Sequence, residues 1–471
     1  MNINPQHISS ISPQQAWFYR IVPKDVGTNE MIFYTDNEGL SGIQKDELEF
    51  VLGCKIGIQQ IDKNKVEEFL TKFYPRVNEE ETLSKNVVNI LPDSEKFLPF
   101  LISEAKLLNS SDIHIEVYYE KARIRFRIDG LMLERYLLDK EKYPALVNKV
   151  KIMSNLDIAE KRLPQDGRII FQDETSKVDI RVSVLPTLYG EKIVLRLLGT
   201  NAAHIDINQL GFGTEDIARY KKGIQKPHGI VLISGPTGSG KTTTLYATLN
   251  LLNNNTRNIV TIEDPIEYTL EGVNQVQVKE NIGLTFAAGL RTFLRQDPDI
   301  IMLGEIRDQE TAAMAIRASL TGHLVLSTIH TNSAWSTFTR LSDMGIAPYL
   351  IAETVNISVA QRLIRLLCHQ CKKEVETEKE SNDALPADKR LNTHFVPIGC
   401  PYCNFTGYKG RQALYELILV DSTIADLIKK READISGYYS SLKINTLQDN
   451  AYRVYAKGET SLTEIYPILI S

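Results

Sequence analysis

A chain of 471 residues with 43% hydrophobic and 24% charged residues has the composition of an ordinary soluble globular protein, long enough for roughly three or four domains. Its formal net charge of −5 excludes wholesale attraction to nucleic acid or an anionic membrane. No apolar run approaches the ~18 residues that span a bilayer, and the polar Met1–Gln15 lacks the basic-then-apolar order of a signal peptide, so a cytoplasmic location is expected.

Residues 1 to about 80 mix short apolar runs (Trp17-Phe18-Tyr19, Met31-Ile32-Phe33-Tyr34) with turn residues, and Val66-Glu67-Glu68-Phe69-Leu70 reads as a closing helix. Cys54 stands alone in an apolar stretch and reads as a small core residue. The acidic Asn78-Glu79-Glu80-Glu81-Thr82 reads as a linker. A second unit begins near Glu95. A helix over 95–109 keeps Phe97, Phe100, Leu101, Ala105 and Leu108 at helical spacing. Asp112–Val117 and Arg123–Ile128 then alternate polar and apolar residues, as strands do. That puts Arg123, Arg125 and Arg127 on one face, which is either a nucleic-acid footprint or a solvated face. A helix from Pro144 to about Glu160 and strands at Asp179–Ser183 and Lys192–Arg196 complete a compact α+β domain.

The third unit opens with the apolar strand Gly229–Ser234, which feeds Gly235-Pro236-Thr237-Gly238-Ser239-Gly240-Lys241-Thr242, with Thr243 next, and a helix over 242–252. The pattern is a complete P-loop in its required strand-to-helix setting. Glycines there let backbone N–H groups turn in around phosphates at a helix N-terminus, Lys241 reaches the β- and γ-phosphates, and the Thr242 hydroxyl ligates Mg²⁺. ATP is the expected ligand. Further apolar strands at 258–262, 300–303 and 324–328, separated by helices, predict a parallel sheet with crossover helices.

Three blocks beyond the P-loop sit where ligands of such sheets collect. Thr261-Ile262-Glu263-Asp264-Pro265-Ile266-Glu267 carries three carboxylates; one of them activates the attacking water, unless the segment is only a solvated acidic loop. Asp299-Ile300-Ile301-Met302-Leu303-Gly304-Glu305 is a Walker B strand in which Gly304 takes the place of the Mg²⁺-binding Asp and leaves Glu305 to hold the ion. Ser327-Thr328-Ile329-His330-Thr331 ends a strand and puts His330 near the phosphates, unless that histidine is structural.

Cys368-x₂-Cys371 and Cys400-x₂-Cys403, 28 residues apart, supply four thiolates for a tetrahedral Zn²⁺ shell. Four protein ligands leave no open position, so this zinc is structural rather than catalytic. The few basic residues nearby (Lys372, Lys373, Lys409, Arg411) do not favour a nucleic-acid role for the element.

Taken in order, the P-loop, Thr-Ile-Glu-Asp-Pro-Ile-Glu, Leu-Gly-Glu-Ile-Arg-Asp and Ser-Thr-Ile-His-Thr-Asn resemble the Walker A, Asp box, Walker B and His box of the secretion traffic ATPases, which power type II secretion and type IV pilus assembly. Upstream, Ser111–Glu116, Arg125–Gly130 and Arg162–Arg168 resemble that family's PAS-like domain. The resemblance implies an α/β, multidomain chain. It would have an adaptor at residues 1–80, a PAS-like domain at 90–203, a RecA-like parallel-sheet core at 204–366, a tetracysteine element at 367–408 and a helical segment at 409–471. It further implies that Glu267 rather than Glu263 is the base, that Arg181 and Arg196 approach the γ-phosphate, and that His330 senses it. It also accounts for Gly304. The implied partners are five further copies in a hexamer, an inner-membrane platform protein, and the cytoplasmic domain of a secretion or pilus membrane protein that recruits the ATPase peripherally. The tetracysteine element is the pattern of assembly and export members, against a pilus-retraction motor. A RecA-like nucleic-acid translocase and a non-hydrolysing nucleotide switch are the competing readings. The acidic balance opposes the first and the retained carboxylates oppose the second.

Overall fold

The computed structural model describes residues 20–26, 30–36, 55–73, 97–172, 177–198, 206–377 and 389–470, together with residues 11, 16, 45, 49, 385 and 386. The run Trp17–Tyr19, Cys54 and the acidic stretch 78–82 lie outside the described residues.

Near the N-terminus, β1 (Ile21–Val26), β2 (Glu30–Thr35) and β3 (Lys55–Gln60) form a three-stranded sheet in that order. The helix Lys63–Phe73 follows, with Val66 and Leu70 in the same small core as Phe33. Its position matches the closing helix expected at Val66–Leu70.

The next unit is a six-stranded antiparallel sheet. Its strands are β4 (Ser110–Val117), β5 (Ala122–Ile128), β6 (Leu131–Leu138), β7 (Gln165–Gln172), β8 (Lys177–Thr187) and β9 (Gly190–Leu198), ordered β6-β5-β4-β9-β8-β7. Helices Phe97–Leu107 and Tyr143–Met153 supply Leu101, Ile102, Leu146 and Val150 to a core with Ile113, Ile115, Ile124 and Phe126. Strand alternation sends the polar residues of β4 and β5 to the other face. There Glu116 accepts hydrogen bonds from Arg123 (3.0 Å) and from two nitrogens of Arg125 (both 2.9 Å), with Lys192 at 3.1 Å. Two of the three arginines are therefore committed to a buried carboxylate. The second helix stops earlier than periodicity predicts, at Met153 instead of Glu160. Ser154 turns its hydroxyl back to the Val150 carbonyl (2.7 Å) and Asn155 takes a left-handed conformation (φ 57°), which ends the helix.

The core sheet contains β10 (Gly229–Ser234), β11 (Ile259–Glu263), β12 (Asn274–Gln277), β13 (Ile300–Leu303), β14 (Leu324–Ile329) and β15 (Val355–Leu367). A small ribbon, β16 (Lys373–Glu376) with β17 (Thr393–Val396), precedes β18 (Tyr408–Leu419). The sheet order is β12-β11-β13-β14-β10-β15-β18, parallel throughout except for β18. Strands β10, β11, β13 and β14 are buried along their whole length, as a parallel sheet covered on both faces requires. One difference from expectation is the segment from residue 409. It is not helical at its start: through Leu419 it pairs with β15 as the sheet's last strand, so the cysteine element is an insertion between two neighbouring strands.

Candidate nucleotide site and cysteine cluster

Because β10, β11, β13 and β14 run the same way, their carboxyl ends deliver Gly235, Glu263, Glu305 and His330 to one edge of the sheet. The P-loop leaves β10 with Gly235, Gly238 and Gly240 all at positive φ (147°, 80° and 88°) and enters the helix Lys241–Leu252. Gly235 has a second reason to be glycine, since a Cβ there would lie 2.5 Å from the Gln361 carbonyl oxygen. Lys241 Nζ donates to the carbonyls of Gly235 (2.9 Å) and Pro236 (3.0 Å). Burial pushes its pKa down, and the facing Glu305 carboxylate acts the other way. The Ser239 hydroxyl is buried without a protein partner.

Glu305 is mostly buried at the end of β13, with its carboxylate 2.5 Å from Arg307 and 3.5 Å from Nε2 of the half-exposed His330. The Walker B and His boxes thus meet directly. At Gly304 the backbone N–H donates to the Ile262 carbonyl (2.8 Å), tying the end of β13 to β11. Thr242 and Glu305 offer oxygen donors, the chemistry that suits Mg²⁺.

The two acids that sequence reasoning left open differ sharply. Glu263 is 3% exposed, and both its carboxylate oxygens are engaged: Tyr246 donates to one, while Thr261 (2.6 Å) and Gln275 (3.0 Å) donate to the other. Glu267 is partly exposed and faces Arg181 Nη1 at 3.5 Å, while Arg181 also donates to the Ile266 carbonyl. Arg196 is not brought to this edge by any contact. Its Nε donates to Asp112 (3.0 Å) inside its own sheet.

Sequence reasoning missed Tyr246, Gln361 and Arg362. Gln361 is buried, accepts from the Thr244 hydroxyl (2.9 Å) and lies against Gly235 and Gly240. Arg362 donates to the Asn332 carbonyl (2.9 Å), two residues past His330. The available signal was a Gln-Arg pair interrupting the apolar run of β15.

In the cysteine cluster, Sγ atoms of Cys368 and Cys400, Cys371 and Cys403, and Cys400 and Cys403 are each 3.8 Å apart, and all four lie within 4.8 Å of one another. Zn–S bonds of about 2.3 Å at tetrahedral angles require S···S edges of about 3.8 Å, so the donor set fits zinc. N–H groups of Gly399, Cys400 and Gly407 point at these sulfurs from 3.2–3.3 Å, as outer donors to thiolates do. Just beyond the cluster, Asp129 of the β5–β6 turn accepts from Gly410 N–H (2.8 Å) and faces Arg411 at 3.5 Å, joining the six-stranded sheet to the start of β18.

No helix among the described residues is long and apolar enough to cross a membrane. Comparison with known proteins places the site in a family. Residues 93–467 match the model of the Type II/IV secretion system protein family. The chain is 45% identical over 373 residues to the Type II secretion system ATPase E of Vibrio cholerae, covering 79% of this chain and 74% of that one. It is 40% identical over 483 residues to the Type IV pilus assembly ATPase PilB of Myxococcus xanthus, covering 95% and 85%. Among solved structures, the pilus retraction motor PilT with bound ADP superposes with a TM-score of 0.53 at 26% identity, over 77% of this chain and 94% of that one. With its P-loop core, six-stranded antiparallel sheet domain and inserted cysteine cluster, this chain belongs to the Type II/IV secretion system protein family and is a P-loop ATPase.

Proposed function

We propose that the chain is a Mg²⁺-dependent motor that forms a homohexameric ring and spends ATP to assemble pilin-like or pseudopilin filaments. The observation that carries this reading is the convergence of Lys241, Glu305, His330 and the Arg181–Glu267 pair on one edge of the core sheet. N–H groups of Gly238 to Thr242 and the Lys241 ammonium bind the phosphates, with Gly235, Pro236, Thr237 and Ser239 shaping the loop and Thr243 bracing it. Glu267, whose carboxylate keeps access to water, orients and deprotonates the nucleophile. Thr242 and Glu305 would hold Mg²⁺, which when bound neutralises charge on the β- and γ-phosphates. His330, beside Glu305, reads the γ-phosphate. Arg181 closes the cleft from the sheet domain, and Arg196 would have to leave Asp112 to join it.

Zinc at Cys368, Cys371, Cys400 and Cys403 is structural in this reading. Residues 1–80 dock the cytoplasmic domain of a membrane protein, recruiting a cytoplasmic ring peripherally to an inner-membrane platform protein, with no nucleic acid involved. The Glu267→Gln variant tests the core of the reading. It is expected to bind a fluorescent ATP analogue as the wild type does and to release phosphate at least about 100-fold more slowly. Wild-type turnover in that variant overturns the assignment.

A further inference from the structure

The acid loop that carries Glu267 is not held by its own backbone alone. It is fastened to the helix that follows the P-loop through one buried hydroxyl. Tyr246 lies on the helix Lys241–Leu252 and is fully buried. Its O–H donates to Glu263, and its oxygen accepts the Glu267 N–H at 3.3 Å. Burial and the Glu263 carboxylate both raise the tyrosine's pKa, so the hydroxyl keeps its proton and its donor role. The neighbouring Tyr268 ring packs edge-on against Tyr246, with centroids 5.3 Å apart.

Gln275, on the edge strand β12, completes the arrangement. Its amide donates to Glu263 (3.0 Å) and to the Tyr268 carbonyl (3.0 Å), while its oxygen accepts the Leu270 N–H (2.7 Å). The loop is therefore pinned at Glu267 N–H, Tyr268 C=O and Leu270 N–H by a network whose charged centre is Glu263. We propose that Tyr246 is the positioning residue for Glu267: through Glu263 it sets the distance of the acid loop from the phosphate-binding turn. The inference rests on Glu267 being the base.

A general base acts only within hydrogen-bond distance of its proton, and a displacement of about 1 Å can cost about 100-fold in rate. Lys241 and Tyr246 share one helix, so the phosphate anchor and the base's anchor move as a single body. Removing the Tyr246 hydroxyl leaves the Glu267 N–H without its acceptor and deprives a buried carboxylate of a donor, while phosphate contacts stay intact.

The test uses the full chain and Mg-ATP, with Tyr246→Phe, Gln275→Ala, Glu267→Gln and the Tyr246→Phe/Glu267→Gln pair. Tyr246→Phe should lower kcat about tenfold and change affinity for a fluorescent ATP analogue less than about twofold. Gln275→Ala, which cuts the loop from the accessible sheet edge, should show the same kcat-only split even if the tyrosine variant folds poorly. In the Glu267→Gln background, Tyr246→Phe should produce no further loss, because there is no base left to misplace. A structural role alone would instead lower KM-dependent and kcat-dependent rates together and add to the Glu267→Gln loss. Wild-type kcat in both Tyr246→Phe and Gln275→Ala, with Glu267→Gln inactive, overturns the positioning role and leaves the base assignment standing. An active Glu267→Gln overturns both.

Discussion

Arg181 of β8 stands 3.5 Å from the carboxylate of Glu267 and donates to the carbonyl of Ile266, so an arginine of the six-stranded sheet is seated on the acid loop of the ATPase core. Both side chains remain about 30% exposed, where ion pairs contribute only about 0–1 kcal/mol to stability. The pair is better explained by charge at the cleft than by folding. Arg181→Ala is expected to reduce phosphate release about tenfold or more while moving the melting temperature little. Arg196→Ala, which loses a contact to Asp112 instead, should have the smaller effect on turnover. Equal losses from the two variants would contradict the geometry.

Glu263 and Glu267 should separate in mutagenesis by stability: both variants slow turnover, Glu263→Gln through the acid loop it holds, but only Glu263→Gln should also weaken the fold. Replacing the saturated, buried Glu263 by Gln turns one acceptor oxygen into an NH₂ that faces donors. It should cost about 1–3 kcal/mol of stability, read as a lowered denaturant midpoint. Glu267→Gln should unfold with the wild type.

Acid sensitivity should trace to Glu116. Burial alone would raise its pKa, but hydrogen bonds from Arg125, Lys192 and Arg123 outweigh that and bring it from 4.5 to about 2. A carboxylate whose folded pKa is depressed gives stability that is complete above about pH 4.5 and is lost as pH falls toward 2. For this shift the contribution is at most about 3 kcal/mol before screening. Melting temperatures between pH 6 and pH 3 should fall more steeply for the wild type than for Glu116→Gln.

The cysteine cluster should bind one zinc per chain, counted by metal analysis of the purified protein. Cys371→Ser should lose the metal and lower the melting temperature, and a strong chelator should do the same to the wild type. Full metal content in Cys371→Ser would contradict a four-thiolate site.

The core sheet was legible because its strands are short apolar runs that must be buried on both faces, and because the P-loop fixes where one of them ends. The meeting of Glu305 with His330 followed from the same rule: parallel strands deliver their carboxyl ends to one edge. What the sequence hid was contact between distant segments. Nothing local tells that Glu263 is saturated, since two of its three donors, Tyr246 and Gln275, come from other elements and only Thr261 shares its strand. Nothing local tells that Arg196 turns to Asp112 while Arg181 turns to Glu267, because both arginines alternate identically along neighbouring strands. The helix expected to reach Glu160 stops at Met153 because Ser154 and Asn155 offer the backbone local alternatives that apolar spacing does not register.

The cysteine insertion leaves and re-enters the sheet between β15 and β18, and the first residues of the returning strand are those that grip Asp129. The four-cysteine cluster therefore sits at the root of the strand that holds the six-stranded sheet at Asp129. A displacement of the six-stranded sheet at Asp129 would load a strand end that follows directly on the Cys400–Cys403 turn.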